Sequence, residues 1–116
     1  MRPEVLISEV ASKVGGKFLH QGNKRFVKWV VASSLMSDIL TTEEEDILLL
    51  SNLNTVQVVR TADMIGANAI MIAGGKPVTQ DMLDLARKLD ISLISTNYPI
   101  FETCFQLAPL FNQEKK

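Results

Sequence analysis

The sequence is poor in the residues that most often mark metal sites and disulfides. It contains one cysteine, Cys104, and one histidine, His20, among 116 residues. A single thiol cannot close a disulfide within the chain, and one histidine and one cysteine far apart in sequence are a weak basis for a metal site. We therefore predict that the protein has no disulfide framework, no metal and no bound cofactor.

The sequence also lacks an excess of charge of either sign and any long hydrophobic run. Twelve basic residues oppose 13 acidic ones, giving a net charge of −1, so no strong field attracts nucleic acid or an anionic membrane. Apolar runs such as Ala69–Ala73 are far shorter than the roughly 20 residues of a membrane span. Residues 1–4 do not resemble a secretory signal. We predict a cytoplasmic protein with neither a nucleic-acid nor a membrane partner.

Apolar residues are plentiful, and their order predicts the fold class. They make up 47% of the chain, as expected for one globular domain over residues 1–116 with a frayed charged tail at 112–116. Strands that are apolar throughout, rather than alternating, are buried on both faces of a sheet. The pattern predicts an α/β fold, a single three-layer domain with a mainly parallel sheet flanked by helices. The strands are expected at 17–19, 25–31, 46–50, 69–72 and 92–94, and the helices at 3–14, 35–40, 54–65, 79–89 and 99–110.

Small and polar residues follow the strands of this predicted sheet. Ligands of parallel sheets bind beyond the carboxyl ends of the strands, so these residues are candidates for a ligand site. They are Ser33, Ser34, Asp38, Asn52, Asn54, Gly74, Gly75, Lys76, Thr96 and Asn97. Such residues also serve as helix N-caps, which would explain Asn54, Thr79 and Asn97 without any ligand. Both explanations remain open at this stage.

The segment from Ile70 to Pro77 does not match a nucleotide-binding P-loop. Ile70 stands where that motif requires glycine, and Pro77 stands where it requires a hydroxyl residue after the lysine. A small anionic metabolite could still be bound by Lys76 with the backbone N–H groups of Gly74 and Gly75. This gives a nucleotide or phosphorylated-metabolite sensor as an alternative function.

The residues do not assemble a catalytic set. An enzyme acting through Asp38 or Cys104 is a third hypothesis, but no base or nucleophile accompanies either residue at a recognisable spacing. Phe26 and Trp29 fall on a predicted strand and are candidates for an interface, because aromatic residues are enriched at such surfaces. We therefore favour a non-catalytic regulatory or interaction module that forms a homodimer or binds another protein.

Four segments resemble the DRTGG domain, a small α/β module found alone in small bacterial proteins or attached to cystathionine-β-synthase-type domains and phosphotransacetylases. They are residues 33–40, 52–56, 70–77 and 94–103, beginning with Ser33-Ser34-Leu35-Met36, Asn52-Leu53-Asn54, Ile70-Met71-Ile72 and Ile94-Ser95-Thr96. The fold of that family is similar to the N-terminal domain of the HPr serine kinase. The resemblance implies a sensory or regulatory domain and no kinase activity, since that kinase carries its phosphate-binding loop in a separate domain.

The chain departs from the family at its naming motif. The large residues of segment 24–30 replace the double glycine expected there. If those glycines allow the backbone to approach a ligand, the resemblance implies that Trp29 instead covers the site or contacts a partner.

Overall fold

A five-stranded sheet forms the centre of the protein, which the computed structural model describes over residues 2–33 and 39–112. Its strands lie in the order β2-β7-β6-β5-β4, with β4 to β7 parallel and β2 antiparallel to β7. A separate antiparallel pair joins β1 and β3.

The strands are β1 (Val5–Leu6), β2 (Lys17–His20), β3 (Phe26–Val27), β4 (Trp29–Ala32), β5 (Ile47–Ser51), β6 (Ala69–Ile72) and β7 (Ser92–Ser95). The helices are α1 (Ile7–Lys13), α2 (Val56–Met64), α3 (Gln80–Leu89) and α4 (Ile100–Phe111).

Helices cover both faces of the sheet, which explains why its central strands are apolar throughout. Leu48 and Leu50 of β5 belong to the core cluster that includes α1 and α4. Their neighbours Ile47 and Leu49 belong to the opposite cluster, with α2 and α3. Successive side chains of a strand point to opposite faces, so both sets are buried. The predicted α/β class and three-layer architecture are confirmed.

The N-terminal third differs from the prediction in two places. Val5 and Leu6 pair with β3 instead of opening a helix, and α1 begins only at Ile7. The predicted strand over 25–31 is divided at Lys28, whose N–H donates to the carbonyl of Asp46. The residues before Lys28 pair with β1 and those after it pair with β5, so one apolar run serves two sheets.

Of the three residues for which helix capping was one open explanation, one caps a helix and two do not. Thr79 caps α3, where its hydroxyl accepts a hydrogen bond of 3.2 Å from the N–H of Met82. Asn54 and Asn97 are not caps, because α2 is preceded by Thr55 and α4 by Pro99.

The candidates Ser34 and Asp38 lie outside the described residues, and so do tail residues 113–116. Most of the short helix predicted at 35–40 is also outside them. No helix within 2–33 and 39–112 is long and apolar enough to cross a membrane.

Candidate functional site

The described ligand candidates lie along the edge formed by the carboxyl ends of β4 to β7, here named the strand-end edge. Parallel pairing places them there, because the chain leaves all four strands at this edge. The residues that follow β4, β5, β6 and β7 within two positions include Ser33, Asn52, Gly74 and Thr96, respectively. The sheet hydrogen bonds continue into the loops: the N–H of Thr96 donates to the carbonyl of Ile72 at 3.0 Å. The strand-end edge consists of Ser33, Asn52, Asn54, Gly74, Gly75, Lys76, Thr96 and Asn97.

The chain turns to opposite faces of the sheet after two neighbouring strands, β6 and β7. The helix after β6 packs on the α2 face, whereas α4 after β7 packs on the α1 face. Such a divergence normally opens a crevice in which α/β proteins bind ligands. Here two hydrogen bonds link the loops after these strands: the N–H of Gly74 donates to the carbonyl of Tyr98 at 2.7 Å, and that of Gly75 to the carbonyl of Thr96 at 3.0 Å.

These two hydrogen bonds bear on the alternative hypothesis of a metabolite sensor. In that hypothesis the backbone N–H groups of Gly74 and Gly75 would meet an anion, but both already donate within the chain. The φ angles of +77° and +67° give a second reason for glycine at these positions, because other residues rarely adopt them.

Most polar side chains of the strand-end edge also have partners within the chain. The buried hydroxyl of Thr96 donates to the carbonyl of Val14 at 2.8 Å. The amide of Asn54 donates to the carbonyl of Pro77 at 2.9 Å, and Ser33 and Asn52 also take part in interactions. The hydrogen bonds of Thr96 and Asn54 join segments that are distant in sequence, so these two side chains serve the fold.

Two residues of the strand-end edge keep an available side chain. Lys76 and Asn97 are both exposed, and neither forms a hydrogen bond or ion pair with the rest of the described chain through its side chain. The Oδ1 atom of Asn97 lies 3.3 Å from the position that a Cβ atom on Gly75 would take, so Asn97 borders the glycine turn. Within the described residues, Lys76 and Asn97 are therefore the groups best placed to meet a solute.

The histidine lies at the opposite edge of the sheet. His20 ends β2, and its Nε2 lies 3.2 Å from Oδ1 of Asp90. The other oxygen of Asp90 accepts a hydrogen bond of 3.2 Å from the N–H of Asn23. The histidine thus helps to hold the loop after β2 against the end of α3.

A shallow apolar groove lies between α4 and the edge strand β4. It has a volume of about 200 Å³ and is named here the α4 groove. The groove is lined by Trp29, Val30, Ala32, Cys104, Leu107, Ala108, Phe111 and Asn112. Burial in it raises the pKa of Cys104, which disfavours the thiolate that a nucleophile requires. This groove was not predicted from the sequence.

The two interface candidates from the sequence lie in different sheets. Trp29 begins β4, and its ring meets that of Phe111 edge-on at 6.5 Å, while the Arg2 guanidinium lies 3.4 Å from the Trp29 ring centre. Phe26 belongs to the small β1–β3 sheet. Trp29 lies four positions, or roughly 13 Å, from Ser33 at the other end of its strand. It therefore does not cover the strand-end edge.

The described residues contain no group of three or more His, Cys, Asp or Glu side chains that could hold a metal ion. Every buried side-chain nitrogen or oxygen in residues 2–33 and 39–112 has a hydrogen-bond partner. No orphaned polar atom in this part of the chain points to a missing ligand.

The fold is similar to that of a solved structure that comprises two kinds of domain. The chain is similar to a structure of the CBS and DRTGG domains of the regulatory region of Clostridium perfringens pyrophosphatase, solved with its activator, diadenosine tetraphosphate. The TM-score is 0.76 at 12% sequence identity, over 91% of this chain and 47% of the other. The present chain thus spans about half the length of that structure. A comparison with curated proteins gave no match.

The model of one protein family matches nearly the whole chain. It is that of the DRTGG domain, and the match extends over residues 9–108. This range includes every described element from most of α1 through most of α4. The chain therefore belongs to the DRTGG domain family.

Proposed function

We propose that the protein is a non-catalytic regulatory module that acts by associating with a second copy of itself. Membership of the DRTGG domain family supports a regulatory role, since a similar structure comes from the regulatory region of a pyrophosphatase. A regulatory domain needs a surface through which a change of state reaches another molecule. The described part of this chain offers one such surface on α4.

The observation that carries the proposal is the apolar outer face of α4. Phe101 is 80% exposed and Phe105 is 68% exposed, and their rings stack on each other at 6.5 Å. Ala108, which is also exposed, continues the same stripe because residues at i, i+4 and i+7 share a helix face. Large aromatic side chains so fully exposed are typical of protein interfaces.

The polar groups support a module without catalysis. The hydroxyl of Ser51 accepts a hydrogen bond from the N–H of Leu53, and that of Thr96 is bonded to Val14. The thiol of Cys104 has a raised pKa. Each of these groups has a structural role or lacks the ionisation that a nucleophile needs.

Light scattering after size-exclusion chromatography, over a concentration series, tests the self-association. We expect a mass of twice 12.9 kDa at high concentration, with a shift toward the monomer on dilution. A constant monomeric mass up to millimolar chain concentration would refute the proposal.

A second candidate function is the binding of a nucleotide or phosphorylated metabolite at the strand-end edge. Lys76 supports it, because it is an exposed cation that directly follows the glycine turn bordered by Asn97. The structure solved with diadenosine tetraphosphate adds the class of ligand to try first. Since the N–H groups of Gly74 and Gly75 are occupied, contact with phosphate would fall to Lys76 and the Asn97 amide.

A thermal-shift screen with diadenosine tetraphosphate, ATP and inorganic phosphate tests the second candidate. A ligand present at 100 times its Kd stabilises the folded protein by about 2.7 kcal/mol. Replacement of Lys76 by alanine should abolish the shift, while replacement of Lys88, an exposed lysine of α3, should not. No shift with any of the three at millimolar concentration would count against this function.

A further inference from the structure

Helix α4 carries both a projection and a recess on neighbouring strips of its surface. The projection, named here the aromatic ridge, consists of the stacked rings of Phe101 and Phe105. The recess is the α4 groove, one wall of which is formed by Cys104 and Ala108. Positions three and four apart adjoin on a helix, so Phe101 and Phe105 lie directly beside that wall.

The groove has the size and lining of a site for an aromatic ring. Its volume is about 200 Å³, and an apolar protein cavity of roughly 150 Å³ already holds a benzene molecule. Trp29 and Phe111 provide two ring surfaces within it, and aromatic rings gain from edge-on or offset contact with one another. The aromatic ridge supplies rings of this kind on the same chain.

We infer that two copies dock through α4 in antiparallel orientation, so that the aromatic ridge of each copy fills the α4 groove of the other. This inference rests on the self-association proposed above and assigns its surface. Antiparallel docking about the middle of α4 places Phe105 near the two-fold axis and directs Phe101 toward Ala108 and Phe111 of the second copy. Because a two-fold axis relates the two copies, both ridges and both grooves are buried at once.

The chemistry of this face favours a second copy over a different partner. Glu102 is the one charged residue within α4, and β4 contains none. The cation nearest the groove in the described chain, Arg2 over the Trp29 ring, is already paired with Glu44, so two such surfaces can meet with little like-charge repulsion. The ridge and the groove lie on one helix, so the surface is complementary to itself.

The area available is of the right order for a dimer. Buried aromatic side chains cover about 150–250 Å² each, so the two rings supply roughly half of the ~800 Å² that each partner buries in a stable interface. The edge strand β4 borders the groove and adds its own surface. The aromatic ridge, the α4 groove and β4 are together the surface that we assign to the dimer.

Variants of the ridge and the groove test the assignment against a matched control. Phe101→Ser removes the ring, and Ala108→Glu places a charge at the groove wall; both positions are exposed, so the fold should persist. Met64 is 71% exposed on α2, across the sheet, so Met64→Ser removes a comparable apolar side chain elsewhere. Loss of a central interface residue should raise the dimer dissociation constant about 30-fold. Met64→Ser should leave it unchanged, and circular dichroism confirms the folding of each variant.

The thiol of Cys104 gives a second, local measurement. It is the single cysteine of the chain and lines the groove, so its rate of alkylation by a maleimide reports whether the groove is covered. We expect the rate to fall at least tenfold between dilute and concentrated wild-type protein and to stay constant for Phe101→Ser.

The outcomes separate this inference from the proposed function. If the wild type is dimeric and the ridge and groove variants remain equally dimeric, self-association stands and its assignment to α4 is overturned. Equal dissociation of Met64→Ser would overturn the assignment as well. If the wild type is monomeric at every concentration, both proposals fail, and the ridge must serve a different protein or a lipid surface.

Discussion

The hydroxyl of Thr96 donates a hydrogen bond of 2.8 Å to the carbonyl of Val14, 82 positions earlier in the chain. The same oxygen accepts a hydrogen bond of 3.2 Å from the N–H of Tyr98. Thr96 follows β7 and Val14 follows α1, so this side chain joins the strand-end edge to the helix layer on one face. A residue first considered for ligand binding thus serves the fold.

Replacement of Thr96 by valine should destabilise the protein by about 1–3 kcal/mol. The shape of the side chain is nearly kept, but the carbonyl of Val14 loses its partner in a buried place and the N–H of Tyr98 loses its partner in a partly buried one. Urea unfolding followed by circular dichroism measures the change. Asn97→Ala is the matched control, since its exposed side chain should alter stability by less than about 0.5 kcal/mol. Equal effects of the two variants would contradict the structural role of Thr96.

The two glycines of the strand-end edge should differ in their tolerance of alanine. Both have positive φ, which costs a residue with a Cβ atom roughly 1–2 kcal/mol. A Cβ atom at Gly74 meets open space, whereas at Gly75 it lies 3.3 Å from Oδ1 of Asn97. Gly75→Ala should therefore be the more destabilising in urea unfolding, but only by the small cost of moving the exposed Asn97 side chain a few tenths of an ångström.

A double variant isolates that contact. Removal of the Asn97 amide in Gly75→Ala/Asn97→Ala should bring the cost of the Gly75 substitution down to that of Gly74→Ala. If the cost of Gly75→Ala is the same with and without Asn97, the contact makes no difference to stability.

The central strands were predictable because their sequence pattern has one physical explanation. The buried runs at 47–50 and 69–72 have no polar side chain, and only a strand covered on both faces accommodates them at this length. The helix after Thr79 was equally clear, since a capping hydroxyl precedes an amphipathic run. These elements establish the fold class.

What sequence reasoning missed depends on pairings between distant segments. The hydrophobic spacing of residues 5–14 suits a helix, but pairing with Phe26 and Val27 draws Val5 and Leu6 into a strand. His20 has no acidic neighbour in sequence, yet Asp90 lies 70 positions away and 3.2 Å distant. The spacing of Phe101, Phe105 and Ala108 was the available signal for the α4 face. It was overlooked because interface candidates were named only on the predicted strand that carries Phe26 and Trp29.

Asn68 should be among the most sensitive polar residues of the protein. Its Nδ2 donates a hydrogen bond of 2.9 Å to the carbonyl of Phe26 and one of 3.2 Å to Oδ1 of Asp46. Asn68 therefore joins the small sheet to the large one. Asn68→Ala leaves the partly buried carbonyl of Phe26 without its donor, and we expect a loss of about 1–3 kcal/mol in urea unfolding. The solvent-exposed hydrogen bond of Asn54 provides the control, as Asn54→Ala should cost about 0.5 kcal/mol or less. A smaller loss for Asn68→Ala than for Asn54→Ala would contradict this role.

The raised pKa of Cys104 predicts how stability changes with alkaline pH. Its cause is burial in the α4 groove, which disfavours the charged thiolate in the folded state. The folded pKa thus exceeds the unfolded one, and the stabilisation linked to the neutral thiol is complete below the unfolded value, near 9.0. It is lost as the pH rises from there through the folded pKa, because the unfolded chain releases its proton first.

Comparison of the wild type with Cys104→Ala isolates this effect from every other titrating group. The difference in unfolding free energy between the two should be constant from about pH 6 to 8 and should move in favour of the alanine variant above pH 9. Urea unfolding under reducing conditions at several pH values provides the measurement. The same burial should make alkylation of Cys104 slower in the folded protein than in urea near pH 8. A difference that does not change with pH, together with equal alkylation rates, would show that the groove leaves this thiol as free as in the unfolded chain.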